Sequence, residues 1–282
     1  MSATDIDRLI EMALNEDAVT NDLTCVATIT AGQPGVARIT AKAEGRLSGV
    51  LPAGAVFERV DAAIKQSWLI ADGDHVKAGT LLCELKGPVH SLLAAERTAL
   101  NFLQHLSGIA TVTASYVEAL AGTNCRIVDT RKTTPGMRKL EKAAVVHGGG
   151  GNHRMDLQSG MLIKENHIEA CGSITEAVGR CYAQSDEIWV EVECETLEQV
   201  EEAIYACPDI ILLDNMTPDD VARAREITPG SILLEASGNI TLENVRAYAE
   251  TGVDRIAIGA ITHSAPILDL SMLIIPEKMD TA

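Results

Sequence analysis

The sequence predicts an α/β fold built around a barrel of parallel strands, and two patterns support this prediction. After residue 108, short β-rich runs follow one another and most are separated by a helical stretch. The last four runs begin at intervals of roughly 21 to 23 residues, the length of one βα unit. A doubly wound dinucleotide-binding sheet is less favoured, because neither G-x-G-x-x-G nor G-x-x-x-x-G-K-[ST] occurs. The runs span 126–132, 161–166, 188–193, 210–215, 232–238 and 255–260.

A first domain of mixed α and β structure is expected before this repeating region. An amphipathic segment over 6–14 is followed by strand-like alternation over 36–43. Apolar residues at helical spacing over 91–106 predict a helix, which Gly108 would end. We therefore predict a first domain over 1–108 and a barrel domain over 109–266.

The composition indicates a folded protein with a large core, because 46% of the residues are hydrophobic and 22% are charged. No apolar run approaches the roughly 20 residues that span a bilayer, and the N-terminus lacks the layout of a signal peptide. We therefore expect a cytoplasmic protein. The seven cysteines are scattered and never form a C-x-x-C pair, so neither a disulfide framework nor a structural zinc site is expected.

The charge is distributed unevenly along the chain. The formal net charge of -17 argues against binding to nucleic acid or to an anionic membrane. The segment 126–164 nevertheless holds eight Lys/Arg and three acidic residues, so it carries +5 and leaves -22 for the remainder. A solvated helix face is the usual explanation for Arg138, Lys139 and Lys142. The alternative is a focused site for a small anion.

Charged and small residues stand where the predicted strands end, which is where parallel α/β folds bind ligands. The cations Arg131, Lys132 and Lys164 suit carboxylates or phosphates, and His153 and Arg154 would add to them. The other strand-end residues are Glu193, Asp214, Ser237, Gly238 and Gly259. The turns Ser237-Gly-Asn239 and Gly259-Ala260 are of a kind that binds phosphate in barrels, although a turn in the core has the same composition.

Glu193 and Asp214 lie one βα unit apart, so their carboxylates are expected to share the mouth of the barrel. Together they would repel a phosphorylated substrate unless a cation intervened, and Mg²⁺ takes one or two carboxylates with substrate oxygens. We therefore favour Mg²⁺ at this position. The alternatives are ion pairs with Lys132 and Lys164, or general acid and base roles.

The glycine run in 147–154 has three interpretations. It is a plain flexible loop, an oxyanion loop of the esterase type, or a lid that carries His153 and Arg154 onto the substrate. The second is disfavoured because no G-x-S-x-G nucleophile motif occurs in the chain. We favour the lid.

Three runs of the sequence resemble the central signature of the quinolinate phosphoribosyltransferase family. They are DTRKTTPGMRKLEK over 129–142, GGGGNHR over 148–154 and LIKENHI over 162–168. The resemblance extends through further short motifs and covers nearly the whole chain. Those motifs span 96–101, 191–193, 213–215, 237–239 and 262–266.

The resemblance implies an N-terminal α/β sandwich followed by an incomplete TIM-like α/β barrel, with residues 267–282 returning to the first domain. The implied reaction, a step of NAD biosynthesis, joins quinolinate to phosphoribosyl pyrophosphate and yields nicotinate mononucleotide, pyrophosphate and CO₂ with Mg²⁺. The implied assembly is a homodimer or hexamer whose active site is shared between subunits.

The resemblance also implies roles for individual residues. The quinolinate contacts would be Thr130, Arg131, His153, Arg154, Lys164 and, from the neighbouring subunit, Arg97. The phosphoribosyl pyrophosphate contacts would be Lys132, Ser237, Gly238, Asn239, Gly259, Ala260 and His263. The catalytic set would be Lys132, Lys164, Glu193 and Asp214, with the two carboxylates holding the metal directly or through water. Rival interpretations are a sibling transferase acting on another acidic ring such as nicotinate, a pyrophosphorylase-like protein tied to metal uptake, and a noncatalytic binding protein of the same fold.

Overall fold

A computed structural model describes residues 3–276 of the chain, which form two compact units. Unit one comprises the residues up to Val112, the segment Pro135–Gly149 and the residues from Ser264 onward. Unit two comprises Thr113–Thr134 and Gly150–His263. The α/β fold predicted from the sequence is confirmed.

Unit one is built on a four-stranded antiparallel sheet in the order β12-β1-β5-β3, with β2 and β4 paired separately. Alternate residues of β1 are buried, among them Ala37, Ile39 and Ala41, because one face of the sheet packs into the core. The elements are α1 (Ala3–Glu16), a 3-10 turn (Val19–Asn21), α2 (Leu23–Thr28), β1 (Pro34–Ala41), β2 (Gly45–Arg46), α3 (Val50–Val60), β3 (Lys65–Trp68), β4 (His75–Val76), β5 (Leu81–Pro88), α4 (Val89–Ala119), α5 (Arg138–His147) and β12 (Leu270–Pro276).

The chain re-enters unit one near its C-terminus. Strand β12 pairs with β1 along its whole length, with Leu270 opposite Ala41 and Met272 opposite Ile39. Both Leu270 and Met272 are buried. A return of residues 267–282 to the first domain was expected, and the strand that ends at residue 276 makes such a contact. Residues 277–282 lie outside the described residues.

Unit two is a six-stranded parallel sheet in the order β6-β11-β10-β9-β8-β7. Within the described residues β6 and β7 each pair with one neighbouring strand, so the barrel is open between them. The strands are β6 (Arg126–Val128), β7 (Met161–Ile163), β8 (Val190–Cys194), β9 (Ile210–Asp214), β10 (Leu233–Ser237) and β11 (Arg255–Ala257). The helices are α6 (Glu165–Cys171), α7 (Ile174–Gln184), α8 (Leu197–Ala206), α9 (Pro218–Ile227), α10 (Val245–Glu250) and α11 (Ala260–His263).

Side-chain caps fix where three of these helices begin. Ser173, Thr196 and Thr217 each accept a hydrogen bond from a backbone N–H in the first turn of α7, α8 or α9. Thr196 and Thr217 end the short loops that follow β8 and β9, whereas Ser173 ends the turn between α6 and α7. No helix within residues 3–276 has both the length and the apolar character to cross a membrane. All seven cysteines are free thiols, and Cys25, Cys83 and Cys194 are buried.

Helix α5 belongs to unit one, although the predicted barrel domain of 109–266 includes it. His105 Nε2 lies 2.8 Å from Glu141 Oε1, and Ser48 Oγ lies 2.8 Å from His147 Nδ1. Glu141 and Lys142 are fully buried. The interpretation of Lys142 as part of a solvated basic face is therefore wrong.

Gly108 does not end the predicted helix, because α4 continues through it to Ala119. The glycine permits a close backbone contact instead. A Cβ atom at this position would lie 2.0 Å from the carbonyl oxygen of Pro266 and 3.0 Å from Ile267 Cα. Spacing of apolar residues cannot distinguish a glycine that ends a helix from one that admits a neighbouring chain segment.

We predict that Gly108→Ala lowers the free energy of unfolding by about 1 to 3 kcal/mol, because backbone must move to admit the methyl group. Gly179→Ala is the matched control, since Gly179 lies in α7 with no atom near its added Cβ. That change should stabilise the protein by up to about 1 kcal/mol. Urea unfolding measures both, and a Gly108→Ala protein as stable as Gly179→Ala would contradict the packing account.

Candidate active site

The C-terminal ends of the parallel strands of unit two surround a cleft of about 270 Å³. The parallel register brings these ends level, with Asp214 of β9 opposite Ser237 of β10, and Ser237 opposite Ala257 of β11. Nine of the predicted site residues line the cleft: Thr130, Arg131, Lys132, His153, Arg154, Lys164, Glu193, Asp214 and Ser237. The remaining lining residues are Leu162, Leu212, Ala257 and Glu235.

Two guanidinium groups create the positive side of the cleft. Burial, followed by the repulsion of Arg131, lowers the pKa of the Arg154 guanidinium below its usual range. Arg154 remains a cation at neutral pH, and its Nη1 donates to the carbonyl oxygen of Gly160 at 3.0 Å. An anion bound beside both guanidinium groups would relieve this repulsion.

Lys164 and Glu193 form an ion pair at the next strand ends. Burial raises the pKa of the Glu193 carboxyl, Lys164 lowers it, and Asp214 raises it again. This contact is the ion-pair alternative considered for Glu193. The effect of Asp214 on the pKa of Glu193 shows that these two carboxylates lie close enough for their charges to interact.

The carboxylates of Glu193 and Asp214 are chemically suited to bind a divalent cation. Glu193 and Asp214 are oxygen donors of the kind that Mg²⁺ prefers, and their mutual repulsion would be relieved by a cation. Lys164 supplies one positive charge to Glu193, whereas the amide of Asn215 donates to Asp214 Oδ2 at 2.6 Å. Asp214 is therefore held by a neutral hydrogen-bond donor.

The turn after β10 interlocks with the turn after β9. Asn215, Gly238 and Asn239 all have positive φ angles, of 55°, 91° and 52°. Asn239 Nδ2 donates to Asn215 Oδ1 at 3.0 Å, and Asn215 N donates to Ser237 O at 2.9 Å. A Cβ on Gly238 would lie 2.2 Å from Asn215 Oδ1, so this position requires glycine. Asn215 was not predicted as a site residue, although an asparagine directly after a strand is typical of this backbone conformation.

The turn after β11 packs beside Lys132. Thr262 Oγ1 donates to the Lys132 carbonyl oxygen at 2.8 Å, and a Cβ on Gly259 would lie 3.0 Å from Lys132 Cδ. The structure therefore places this turn next to the predicted phosphate-binding lysine. Five predicted residues of these turns, Gly238, Asn239, Gly259, Ala260 and His263, are not among those that line the cleft. Arg97 is exposed and lies in unit one.

The end of the glycine run is attached to the sheet. Gly151 pairs with Val128, its N–H donates to Ile127 O at 2.8 Å, and its carbonyl accepts from Asp129 N at 3.2 Å. Asp129 Oδ1 also accepts the backbone N–H of His153 at 2.9 Å. These hydrogen bonds hold residues 151–153 against β6 and Asp129. The interpretation of the glycine run as a lid is therefore wrong for this part of the run.

A buried group of charges that reaches the cleft through His153 and Glu235 was missed. Glu191 of β8, Glu235 of β10 and Arg255 of β11 lie together with His153, and both carboxylates are fully buried. The available signal was a charged residue within each of three parallel strands, which are normally buried on both faces. Glu191 was noted from the sequence only as the first residue of the motif 191–193.

Comparison with known proteins identifies the family. The family model of the quinolinate phosphoribosyl transferase C-terminal domain matches residues 109–273, and that of the N-terminal domain matches 22–107. The chain belongs to the quinolinate phosphoribosyltransferase family. The two matched segments meet near residue 108, whereas the compact units are not continuous in sequence, because α5 and the C-terminal strand belong to unit one.

Three relatives show how closely the chain follows this family. It is 44% identical to a probable carboxylating nicotinate-nucleotide pyrophosphorylase of Bacillus subtilis, over 96% of this chain and 94% of the relative. It is 40% identical to the Mycobacterium leprae enzyme of that name, over 93% and 95%. The solved nicotinate-nucleotide pyrophosphorylase of Francisella tularensis matches with a TM-score of 0.94 at 40% identity, covering 98% of each chain.

We predict that Lys164→Ala raises the pKa of the Glu193 carboxyl further, because burial and Asp214 would then act without the opposing cation. The change is measured by following the Glu193 carboxyl carbon in an NMR titration. Lys132→Ala is the control, since Lys132 lines the same cleft but is not among the groups that shift this pKa. An unchanged or lower midpoint in Lys164→Ala would contradict the ion pair.

Proposed function

We propose that this chain transfers the phosphoribosyl group of phosphoribosyl pyrophosphate to quinolinate, with decarboxylation, to give nicotinate mononucleotide, pyrophosphate and CO₂. The observation that carries the proposal is the juxtaposition of the Arg131–Arg154 guanidinium pair with the Glu193–Asp214 carboxylate pair in one cleft. Membership of the quinolinate phosphoribosyltransferase family and the names of the relatives support the same reaction.

The guanidinium pair suits a ring with two adjacent carboxylates. Arginine holds a carboxylate through two parallel hydrogen bonds, and Arg154 is already partly desolvated. Thr130, His153 and Lys164 line the same cleft. We assign quinolinate to this side.

The opposite side suits a phosphorylated sugar. Lys132, Ser237 and the turns that carry Gly238, Asn239, Gly259, Ala260 and His263 would bind its phosphate groups. Loss of pyrophosphate leaves an oxocarbenium-like ribose and a strongly anionic leaving group, so Lys132 would stabilise the departing charge. Mg²⁺, held by Glu193 and Asp214 directly or through water, would neutralise the pyrophosphate oxygens when bound.

Decarboxylation requires no further cofactor. Once the pyridine nitrogen carries the ribose, its positive charge would stabilise the electron pair that stays on the adjacent ring carbon when the carboxylate leaves as CO₂. A proton from solvent would then bond to this carbon and give nicotinate mononucleotide. Arg131 and Arg154 would hold the ring so that the nitrogen faces the ribose carbon, which converts a bimolecular step into an oriented one. Positioning and electrostatics therefore supply the catalysis.

The alternatives make different demands on the cleft. Nicotinate has a single carboxylate and would need fewer cations than Arg131, Arg154 and Lys164 provide. A noncatalytic binding protein of this fold would not need Lys132 beside Glu193 and Asp214. The residues of the cleft therefore favour the carboxylating enzyme over both alternatives. We also propose that the enzyme acts in the cytoplasm.

We predict that purified protein with quinolinate, phosphoribosyl pyrophosphate and Mg²⁺ releases CO₂ and nicotinate mononucleotide in equal amounts. Excess EDTA should abolish turnover and added Mg²⁺ should restore it, because the leaving group would otherwise depart without charge neutralisation. Omission of phosphoribosyl pyrophosphate is the control for spontaneous decarboxylation. Equal or faster turnover of nicotinate without CO₂ would overturn the assignment of quinolinate.

We also propose a homo-oligomer in which Arg97 completes the quinolinate site of a neighbouring subunit. Arg97 is exposed on α4 and lies in unit one, whereas the cleft is lined by residues of unit two. A dimer and a hexamer are both compatible with this assignment.

We expect Arg97→Ala and Lys132→Ala each to be nearly inactive, because each removes a cation from the same shared site. An equal mixture, unfolded and refolded together, should regain roughly one quarter of wild-type activity if the assembly is a dimer. Each mixed dimer would then hold one intact site. A mixture no more active than the mean of the separate variants would exclude action of Arg97 in trans.

A further inference from the structure

We propose that Trp189 is a positioning residue, whose indole ring holds both ends of the loop 153–160 and so fixes the guanidinium of Arg154 beside the quinolinate carboxylates. The packing of the loop rests on geometry, and only the consequence for quinolinate rests on the proposed function. The loop and Trp189 both belong to unit two.

The loop 153–160 is closed on itself by hydrogen bonds. Arg154 Nη1 donates to the carbonyl oxygen of Gly160 at 3.0 Å, which joins the two ends of the loop. Between these ends, Ser159 Oγ accepts the backbone N–H groups of Met155 and Asp156, each at 3.0 Å. The orientation of the Arg154 guanidinium therefore depends on where the carbonyl group of Gly160 lies.

The indole ring of Trp189 packs against both ends of this loop. Trp189 directly precedes β8, and its carbonyl oxygen accepts the N–H of Met161, the first residue of β7, at 3.1 Å. At one end of the loop the indole meets the His153 ring edge to face, with ring centroids 5.6 Å apart and an interplanar angle of 70°. At the other end, a Cβ on Gly160 would lie 2.1 Å from Trp189 Cζ2 and 2.5 Å from Cη2. One side chain thus contacts the first and the last residue of the loop.

The contact with the indole explains why residue 160 is glycine. Gly160 is buried and its φ angle is not positive, so the backbone conformation itself would accept alanine. The indole ring occupies the space into which a methyl group would project. Because the ring packs directly on the backbone of Gly160, it holds the carbonyl group that accepts the hydrogen bond from Arg154.

Arg154 needs such an anchor because open space lies on two sides of it. Arg154 and Leu162 line the cleft, and both also line a second cavity of about 390 Å³ together with Leu157, Gly160 and Met161. A long side chain between two spaces has several rotamers available, and holding it in one of them has an entropic cost. The Gly160 carbonyl limits this choice before the substrate binds, which is the preorganisation that an oriented reaction requires.

The competing interpretation is that Trp189 only stabilises the fold through burial of its apolar surface. In that case the removal of the ring would lower stability, and it would affect both substrates alike or neither. A positioning role instead predicts a selective loss for quinolinate, because Arg154 contacts this substrate and the phosphate-binding turns lie elsewhere in the cleft. The two interpretations therefore differ in the ratio of two KM values.

The test uses full-length protein with three changes and one control. Trp189→Leu removes the ring, Trp189→Phe keeps a smaller aromatic ring, and Gly160→Ala disturbs the same contact from the other side. Trp68→Phe is the matched control, since Trp68 is the other tryptophan of the chain and lies in unit one. Hydrogen exchange of peptides that cover 153–160, measured without substrates, reports how firmly the loop is held. Steady-state kinetics with quinolinate, phosphoribosyl pyrophosphate and Mg²⁺ gives the two KM values.

We expect the loop to exchange at least about tenfold faster in Trp189→Leu and in Gly160→Ala than in the wild type. In both variants the quinolinate KM should rise about tenfold or more, while the phosphoribosyl pyrophosphate KM changes less than about threefold. Trp189→Phe should fall between the wild type and Trp189→Leu in both measurements. Trp68→Phe should match the wild type.

Unchanged exchange of the loop, an equal rise of both KM values, or a Trp189→Phe protein no better than Trp189→Leu would overturn the proposal. If Trp189→Leu does not fold, Gly160→Ala and Trp189→Phe still decide by the same measurements. A protein that turns over no quinolinate but shows the faster exchange would refute the proposed function and support the packing of the loop. Turnover of quinolinate with unchanged exchange in the variants would refute the role of Trp189 alone.

Discussion

The parallel register of the six-stranded sheet is the constraint on which the functional region depends. It sets the ends of β8, β9, β10 and β11 side by side, so that residues from distant parts of the sequence reach one cleft. The same register sets Glu235 level with Glu193, since both pair with Leu212 of β9, and the side chains of Glu191 and Glu235 are fully buried. The region therefore holds two layers of charge: an open layer of charged side chains that line the cleft, and a closed layer formed by the fully buried carboxylates of Glu191 and Glu235.

The two layers differ in how their charges are balanced. In the closed layer, Arg255 contacts the carboxylates of both Glu191 and Glu235. In the open layer, the repulsion that Arg154 experiences from Arg131 and the raised pKa of Glu193 both remain. Like charges held close together in a partly desolvated cleft favour the binding of ligands that relieve their repulsion. A dicarboxylate beside the arginines and a cation beside the acidic residues would do so.

Much of this arrangement could be predicted from the sequence because the strand-end residues follow short apolar runs at regular intervals. Arg131, Lys164, Glu193 and Asp214 were found in this way, and all four line the cleft. Glu191, Glu235 and Arg255 were not found: a charged residue within a buried strand is a signal, but its partners across the sheet are known only from the structure. The role of Gly108 and the position of α5 likewise depend on distant contacts, with Pro266 and His105.

The central claim is that the Arg131–Arg154 pair exists to hold two carboxylates on one ring. The most direct measurement is isothermal titration of quinolinate and of nicotinate into the wild type and into Arg154→Ala. The account predicts that the wild type binds quinolinate more tightly and that Arg154→Ala loses about 10- to 100-fold of quinolinate affinity, with a smaller loss for nicotinate. An unchanged preference for quinolinate in Arg154→Ala would contradict the account.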